Sequence, residues 1–250
     1  MRSMRRILSP RWILVHVLVI ALVLVMVNLG FWQLRRLDDK RRFNDALVEA
    51  TARPVTELVR TPSWKDTDAP IEQWRRVVVS GRYDPDHAVT IINRSQDGVA
   101  GFDTLVPLVL ADSRVLFVNR GFVPLSAAVP VPPDGEVAVM GHVRASQERG
   151  ALGAIDSSDP TAVEFHRFDV KLIARRIDAP TFDWFLQRVK EVPTQEAPWP
   201  AVVPLPDVDE GPHFSYAIQW FFFSATAMAA WVLVVRRRLR EPVSGSPTPG

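Results

Sequence analysis

The sequence predicts a membrane protein in which two transmembrane α-helices flank a mainly β (α+β) extracytoplasmic domain, built as a small antiparallel barrel or sandwich. Three observations lead to this fold class. Two long apolar runs lie towards the two ends of the 250-residue chain. Between them, segments rich in β-branched and aromatic residues recur with turn residues between them. The chain has no cysteine, so the central domain is held by its core rather than by disulfides.

The first apolar run predicts an uncleaved membrane anchor. Residues 1–11 carry arginines and no acid, and the apolar run that follows has about the 20 residues that a helix needs to cross the hydrocarbon. A signal peptide has a shorter apolar core, of about 7–15 residues, and a small-residue cleavage site, which this sequence lacks. The predicted division is therefore a cytoplasmic N-terminus over residues 1–11 and a transmembrane helix over residues 12–34.

The second apolar run predicts the helix that orients the chain. Residues 217–235 contain no charged side chain, and a cluster of arginines follows from Arg236 to Arg240. Lys and Arg near the end of a span favour the cytoplasmic side. The sequence thus predicts a transmembrane helix over residues 213–235 and a cytoplasmic basic tail over residues 236–250. Both termini are then cytoplasmic, and the expected location is the cell (plasma) membrane of a bacterium.

Residues 35–212 form the predicted extracytoplasmic domain, which begins with a helical stalk from Arg35 to about Glu49 and ends in a proline-rich lead-out. The prolines after the stalk predict an irregular connector. Alternation and composition predict six strands, at residues 74–83, 87–93, 104–110, 114–119, 136–144 and 181–189. One helix is predicted over residues 169–177, and Gly141 is expected at a close approach or a bulge.

Composition excludes several classes of function. The net charge is only +2, and the arginines concentrate beside the apolar runs, which indicates membrane topology and lipid contacts rather than nucleic-acid binding. Without cysteine, a copper chaperone would lack its soft ligands. The chain contains no G-x-S-x-G or H-E-x-x-H motif and no cysteine nucleophile, so we do not expect an enzyme.

Three motifs follow one another along the chain. Gly30–Leu34 reads G-F-W-Q-L at the end of the first span, Asn119–Pro124 reads N-R-G-F-V-P at the end of a strand, and His213–Phe221 opens the second span with H-F-S-Y-A-I-Q-W-F. Together they resemble the Surfeit-locus family of cytochrome c oxidase assembly factors, whose members carry G-x-W-Q, N-R-G-[WF]-V-P and H-x-x-Y-A-x-x-W segments. The resemblance covers about residues 30 to 238.

The resemblance implies a role in the biogenesis of respiratory chain complex IV, without catalysis. In one form the protein is a haem chaperone, which holds haem a at the outer leaflet and releases it for insertion into the catalytic subunit. In the alternative form it is a cofactor-free docking scaffold for an assembling respiratory-complex subunit. The expected partners are the oxidase catalytic subunit or the haem a synthesis machinery, together with the lipid bilayer, and no nucleic acid.

His213 is the predicted axial ligand of the haem iron, because a neutral imidazole at a membrane boundary is a standard haem ligand. The plainer interpretation is that His213 is an interfacial residue. Helical spacing stacks Tyr216 and Trp220 below His213, where small Ala217 and Ser224 leave room and Trp220 offers a flat wall to a porphyrin. The alternative places Tyr216 and Trp220 in the aromatic belt of the membrane surface.

Trp32 and Gln33 end the first span at the predicted level of His213. Gly30 permits close helix approach, which would let both side chains line a pocket shared with His213. The alternative interpretation is that Trp32 anchors the helix at the membrane interface. Arg35 and Arg36 pair with haem propionates or, equally well, with lipid phosphates.

Two further features carry plainer interpretations. His16 is expected roughly 22 Å from the level of His213, so the two imidazoles are not predicted to bind one iron. In Asn119-Arg120-Gly121, strand-end turn chemistry with a glycine at positive φ is the plain explanation. The alternative is that Arg120 faces a partner or the membrane.

Overall fold

The computed structural model describes residues 9–58 and 72–240. Within them it forms three α-helices: α1 (Pro10–Ala52), α2 (Val170–Ile173) and α3 (His213–Arg240). It also forms eight strands: β1 (Thr56–Glu57), β2 (Arg76–Tyr83), β3 (Val89–Gln96), β4 (Val99–Leu110), β5 (Val115–Pro124), β6 (Glu136–Ala145), β7 (Glu164–Phe165) and β8 (Thr181–Val192). Expectations for residues 1–8, 59–71 and 241–250, which include most of the connector and the end of the basic tail, lie outside the described residues.

The chain divides into two compact units. The first contains the residues up to Asp45 and those from Asp207 onward, and the second is Ala46–Pro206. α1 and α3 are long and apolar enough to cross a membrane, which is compatible with a two-span membrane protein. α1 has 43 residues and is therefore about 64 Å long, about twice the thickness of the hydrocarbon. The predicted helical continuation of the first span is confirmed.

In the first unit, buried residues on α1 and α3 recur at a seven-residue spacing. Gly30, Leu37 and Asn44 are buried on α1, and Ala217 and Ser224 are buried on α3. A repeat of seven residues keeps buried side chains on one side of a helix, as in paired helices with interlocking side chains. These buried residues therefore lie on one side of each helix.

Gly30 lies at a close contact between the two helices. A Cβ at this position would lie 2.7 Å from the Phe221 ring, so any side chain would displace that ring. The ring of Phe31 meets Phe221 edge to face, with centroids 5.4 Å apart. Near the other end of the pair, His16 contacts Trp231. An early residue of one helix thus meets a late residue of the other, so the pair is antiparallel, and the close approach expected at Gly30 is found.

The second unit contains a five-stranded barrel. Its strands follow the order β2–β6–β8–β5–β4, and β4 closes the barrel by pairing again with β2, for example Leu110 with Gly81. Four of the five pairings are antiparallel, and β5 with β8 is parallel. The barrel predicted from the strand pattern is confirmed, whereas its parallel pair was not predicted.

β5 separates two apolar cores. Leu116 and Val118 belong to the cluster inside the barrel, whereas Phe117 belongs to a second cluster with Phe185 and Ile173. Successive residues of a strand face opposite sides, so this second cluster lies on the outer face of the barrel wall. α2 contributes Val170 and Ile173 to this second cluster, and β5 is buried along its whole length.

The predicted helix and strands are found near their expected bounds. The helix expected over residues 169–177 is α2 followed by a 3-10 turn, Ala174–Arg176, and the Asp169 side chain accepts a hydrogen bond from the N–H of Leu172 at 3.1 Å. Gly141 lies at a register irregularity between β6 and β8, as expected. β1 and β7 were not predicted, because two-residue strands carry no alternation.

Candidate functional site

His213 is the first residue of α3, and its imidazole reaches α1. Its Nδ1 lies 2.9 Å from Oε1 of Gln33, although the two residues are 180 positions apart. Both side chains are half-buried. Of the seven residues predicted for the site, these two are brought into hydrogen-bonding contact.

The contact with Gln33 determines which nitrogen of His213 carries the proton. An amide oxygen only accepts hydrogen bonds, so Nδ1 of His213 donates to it and the neutral ring keeps its lone pair on Nε2. Among the described residues, none hydrogen-bonds to Nε2. Metal-bound histidines commonly donate their second ring N–H to an oxygen acceptor, which fixes the tautomer and the ring orientation. His213 therefore has the protonation pattern of a ligand that binds through Nε2.

The aromatic residues predicted for the site lie on the surface of the helix pair or at its edge. Trp32 and Tyr216 are 46% and 47% exposed, and Trp220 is half-buried against Phe223. A membrane-facing position suits all three equally well. The small residues of α3 that were expected to leave room for a ligand are instead buried on the face that carries Phe221, so helix packing occupies that space.

The two predicted arginines differ in their relation to Gln33. Arg35 and Arg36 are both exposed. Residues three apart share a helix face, whereas residues two apart do not. Arg36 therefore lies on the face of α1 that carries Gln33, and Arg35 faces elsewhere.

A set of polar contacts joins α1 to the residues just before α3. Arg41 forms two parallel hydrogen bonds with Glu210, from Nε to Oε1 at 2.8 Å and from Nη2 to Oε2 at 3.0 Å. The hydrogen bond from Arg41 lowers the pKa of the Glu210 carboxyl. Asn44 donates to the carbonyl oxygen of Asp209 at 2.7 Å. Such exposed ion pairs add little stability, but two-point geometry fixes the direction from which the chain enters α3.

His16 is separated from His213, as predicted. Nε1 of Trp231 donates to Nδ1 of His16 at 3.2 Å, and the two rings meet edge to face. Trp231 is 18 residues after His213 in α3, which corresponds to about 27 Å along the helix. One iron cannot bind both imidazoles.

The N-R-G motif lies in the middle of β5, at a register irregularity opposite Thr104 and Leu105, so the predicted strand end is wrong. The positive φ expected at its glycine is confirmed. The Asn119 side chain accepts a hydrogen bond from the N–H of Gly121 at 3.0 Å and donates to Asp103. Gly121 has a φ of +130°, and a Cβ there would clash with the carbonyl oxygen of Ala201. That clash matters because Ala201 pairs with Phe122 as a short bridge. Glycine is thus required both by the backbone angle and by the neighbouring segment.

Arg120 faces the barrel interior, which corrects the alternative in which it faces a partner or the membrane. It is 1% exposed, and its Nη2 donates to Oε1 of Glu191 at 2.9 Å and to Oε1 of Gln195 at 2.7 Å. Its position follows from strand alternation, because Val118, two residues earlier on β5, faces the same interior.

Glu191 accepts hydrogen bonds from three buried side chains. Besides Arg120, Arg188 donates to its Oε1 at 3.2 Å, and the Tyr83 hydroxyl donates to its Oε2 at 2.9 Å. Arg188 also donates to the carbonyl oxygens of Arg120 and Pro200. Burial lowers the pKa of Arg188 and raises that of Tyr83. This network joins β2, β5 and β8, and its position in the barrel interior indicates a structural role.

Comparisons with known proteins agree over nearly the whole chain. The model of the SURF1 family matches residues 20–225. An uncharacterized SURF1-like protein of Mycobacterium tuberculosis (strain ATCC 25618 / H37Rv) is 26% identical, covering 97% of this chain and 91% of its own length. The corresponding protein of Mycobacterium bovis shows the same values, and a SURF1-like protein of Monosiga brevicollis is 27% identical over 85% of this chain and 84% of its own.

Proposed function

The chain belongs to the SURF1 family, which is linked to cytochrome c oxidase assembly, and we propose that it handles haem a for insertion into the catalytic subunit. Haem a is then a cargo, held transiently at the outer leaflet and received from the haem a synthesis machinery or passed to the catalytic subunit. The task is binding and release, so the protein acts as an assembly factor and not as an enzyme.

The contact between His213 and Gln33 carries this proposal. It leaves Nε2 of His213 as a free ligand atom and holds the ring by a hydrogen bond at Nδ1, which is how proteins prepare a histidine for a metal. A chaperone must bind its cargo more weakly than the client does. A single axial histidine meets this requirement better than a pair of histidines on both faces of the iron.

The remaining predicted contacts are part of the same proposal. Trp32, Tyr216 and Trp220 would contact the porphyrin from the helix surfaces. Arg35 and Arg36 would pair with its propionates, since guanidinium groups bind carboxylates with two parallel hydrogen bonds. The exposure of four of these five side chains leaves them accessible to a large planar ligand.

The proposed topology places both termini in the cytoplasm and residues 35–212 outside. The arginines at the end of α3 support it, because basic flanks favour the inner side of a membrane. A fluorescent protein fused after residue 240 is expected to fluoresce, and alkaline phosphatase inserted in the exposed loop at Gly150 is expected to be active. Phosphatase that is active at the C-terminus and inactive at Gly150 would show the opposite orientation and would contradict a site at the outer leaflet.

Haem binding can be measured directly by absorbance. The full-length protein purified from cells that make haem a is expected to show a Soret band, which disappears in His213→Ala because the iron loses its axial ligand. His87→Ala is the matched control, since this histidine is partly exposed and belongs to the second unit. A folded wild-type protein without a Soret band would favour the cofactor-free docking scaffold.

A further inference from the structure

A polar cavity of about 210 Å³ lies against the wall of the barrel in the second unit. That volume is large enough to hold several water molecules. Asn119 and Gln187 are paired across β5 and β8 and lie in this lining. Their neighbours Val118 and Leu186 belong to the interior core, so the cavity lies on the outer face of the wall.

Two guanidinium groups and one carboxylate line this cavity. Arg94 and Asp103 lie on adjacent strands, with Nε of Arg94 4.0 Å from Oδ2 of Asp103. Burial raises the pKa of Asp103, which disfavours its negative charge. The lining therefore has an excess of positive charge.

Arg144 provides that excess. Within the described residues, no carboxylate lies within salt-bridge distance of it. Its Nη1 donates to Oε1 of Gln187 at 2.7 Å, and its guanidinium lies 3.7 Å from the centroid of the Trp74 ring. Arg144 is half-buried, and this burial lowers its pKa to about 10. Arg76 adds to the positive field, because it and Arg144 both lower the pKa of the buried His142.

The two arginines that line the cavity share a second property. Nε of Arg94 and Nε of Arg144 are both buried and have no hydrogen-bond partner. A buried donor without an acceptor is unfavourable, and a buried charge without a counter-charge more so. An oxygen-rich anion supplies both an acceptor and a negative charge.

We propose that this cavity binds one small oxyanion, a free carboxylate or phosphate group, held chiefly by Arg144 with Arg94 as the second cation. Guanidinium is suited to this task because its donors match the oxygens of carboxylate and phosphate. Asp103 lies beside Arg94, so it places the anion on the Arg144 side. The amide side chain of Gln147 lies in the same lining and adds a polar contact. The site is independent of the proposed haem site, with which it shares no residue.

Calorimetric titration of the purified full-length protein tests this proposal. The protein is titrated with inorganic phosphate and, separately, with succinate, at an ionic strength held constant with chloride. We expect saturable binding of one anion per chain, weakened at least tenfold in Arg144→Gln and in Arg94→Gln. Saturation by only one of the two anions identifies whether the group is a phosphate or a carboxylate.

Arg149→Gln is the matched control. Arg149 is an exposed arginine close in sequence, with a hydrogen bond to the carbonyl oxygen of Gly153, and its replacement should leave the affinity unchanged. Arg144→Lys retains the charge without the two-point geometry and should bind with intermediate affinity. Should Arg144→Gln fail to fold by circular dichroism, Arg94→Gln decides the result. Absence of saturable binding, or wild-type affinity in the folded Gln variants, would mean that the cavity holds only water.

Discussion

Glu191→Ala is expected to lower the free energy of unfolding by about 3–5 kcal/mol, the usual cost of removing one partner of a buried ion pair. Glu191 is 2% exposed and accepts hydrogen bonds from Arg120, Arg188 and Tyr83. Its removal leaves two guanidinium groups in the barrel interior without a counter-charge and a buried hydroxyl without its acceptor. Since domains are typically stable by about 5–15 kcal/mol, this single change removes a large share of the total.

Thermal unfolding of the full-length protein, followed by circular dichroism of the β signal, measures this loss. For a domain of this size the expected decrease in Tm is roughly 6–20 °C. Tyr83→Phe removes one hydrogen bond to the charged carboxylate and should cost less, about 1.5–3 kcal/mol. Glu136→Ala, at an exposed glutamate on β6, should stay within about 0.5 kcal/mol of wild type. If Glu191→Ala had the same Tm as Glu136→Ala, the network would be contributing nothing to stability.

Local patterns predicted most of the architecture. β6 shows why: Val137, Val139 and Val143 occupy one face of the strand and are all buried in the barrel core. Period-two alternation reports directly on such half-buried strands. The two long apolar runs likewise predicted α1 and the start of α3 within a few residues, because crossing a bilayer requires a long uninterrupted apolar run.

Pairings distant in sequence could not be predicted in the same way. The parallel alignment of β5 with β8 depends on how the intervening residues cross the barrel. The sequence of neither strand indicates which strand it pairs with. Glu191 and Arg120 are 71 positions apart, and nothing in the sequence around either residue indicates that the barrel places both inside. Arg41 and Glu210 were visible as flanking charges, but their pairing depends on the register of two helices.

The candidate site was predictable in part for a geometric reason. Gln33 ends one apolar run and His213 begins the other, so antiparallel helices of similar span bring the two to one level. Rotation about each helix axis is set by packing, which the sequence specified only at Gly30. Trp32 and Tyr216 are about half exposed on these helices, and their place in a shared pocket stays a prediction.

Gln33→Leu is expected to weaken the binding of haem a by about 10–100-fold, the usual effect of losing the group that orients a metal-binding histidine. Without the amide oxygen, Nδ1–H of His213 has no acceptor in the described structure, so the ring can rotate and place its proton on Nε2 instead. Gln33→Glu keeps an oxygen acceptor at the same position, and its haem affinity should equal or exceed that of wild type. Soret titration with haem a gives the apparent Kd of each variant, with His213→Ala as the non-binding reference.

The same variants distinguish haem delivery from docking in the cell. In a strain that lacks the gene, oxidase haem content and activity should be restored by wild type, poorly restored by Gln33→Leu and not restored by His213→Ala. A cofactor-free scaffold would instead tolerate both substitutions, because the hydrogen bond between Gln33 and His213 orients a ligand atom and contributes little to an outer docking surface. Full oxidase activity with His213→Ala, at a normal protein level, would therefore exclude His213 as the haem ligand. An unchanged Kd in Gln33→Leu alone would retain the ligand and reject only the orienting role of the amide.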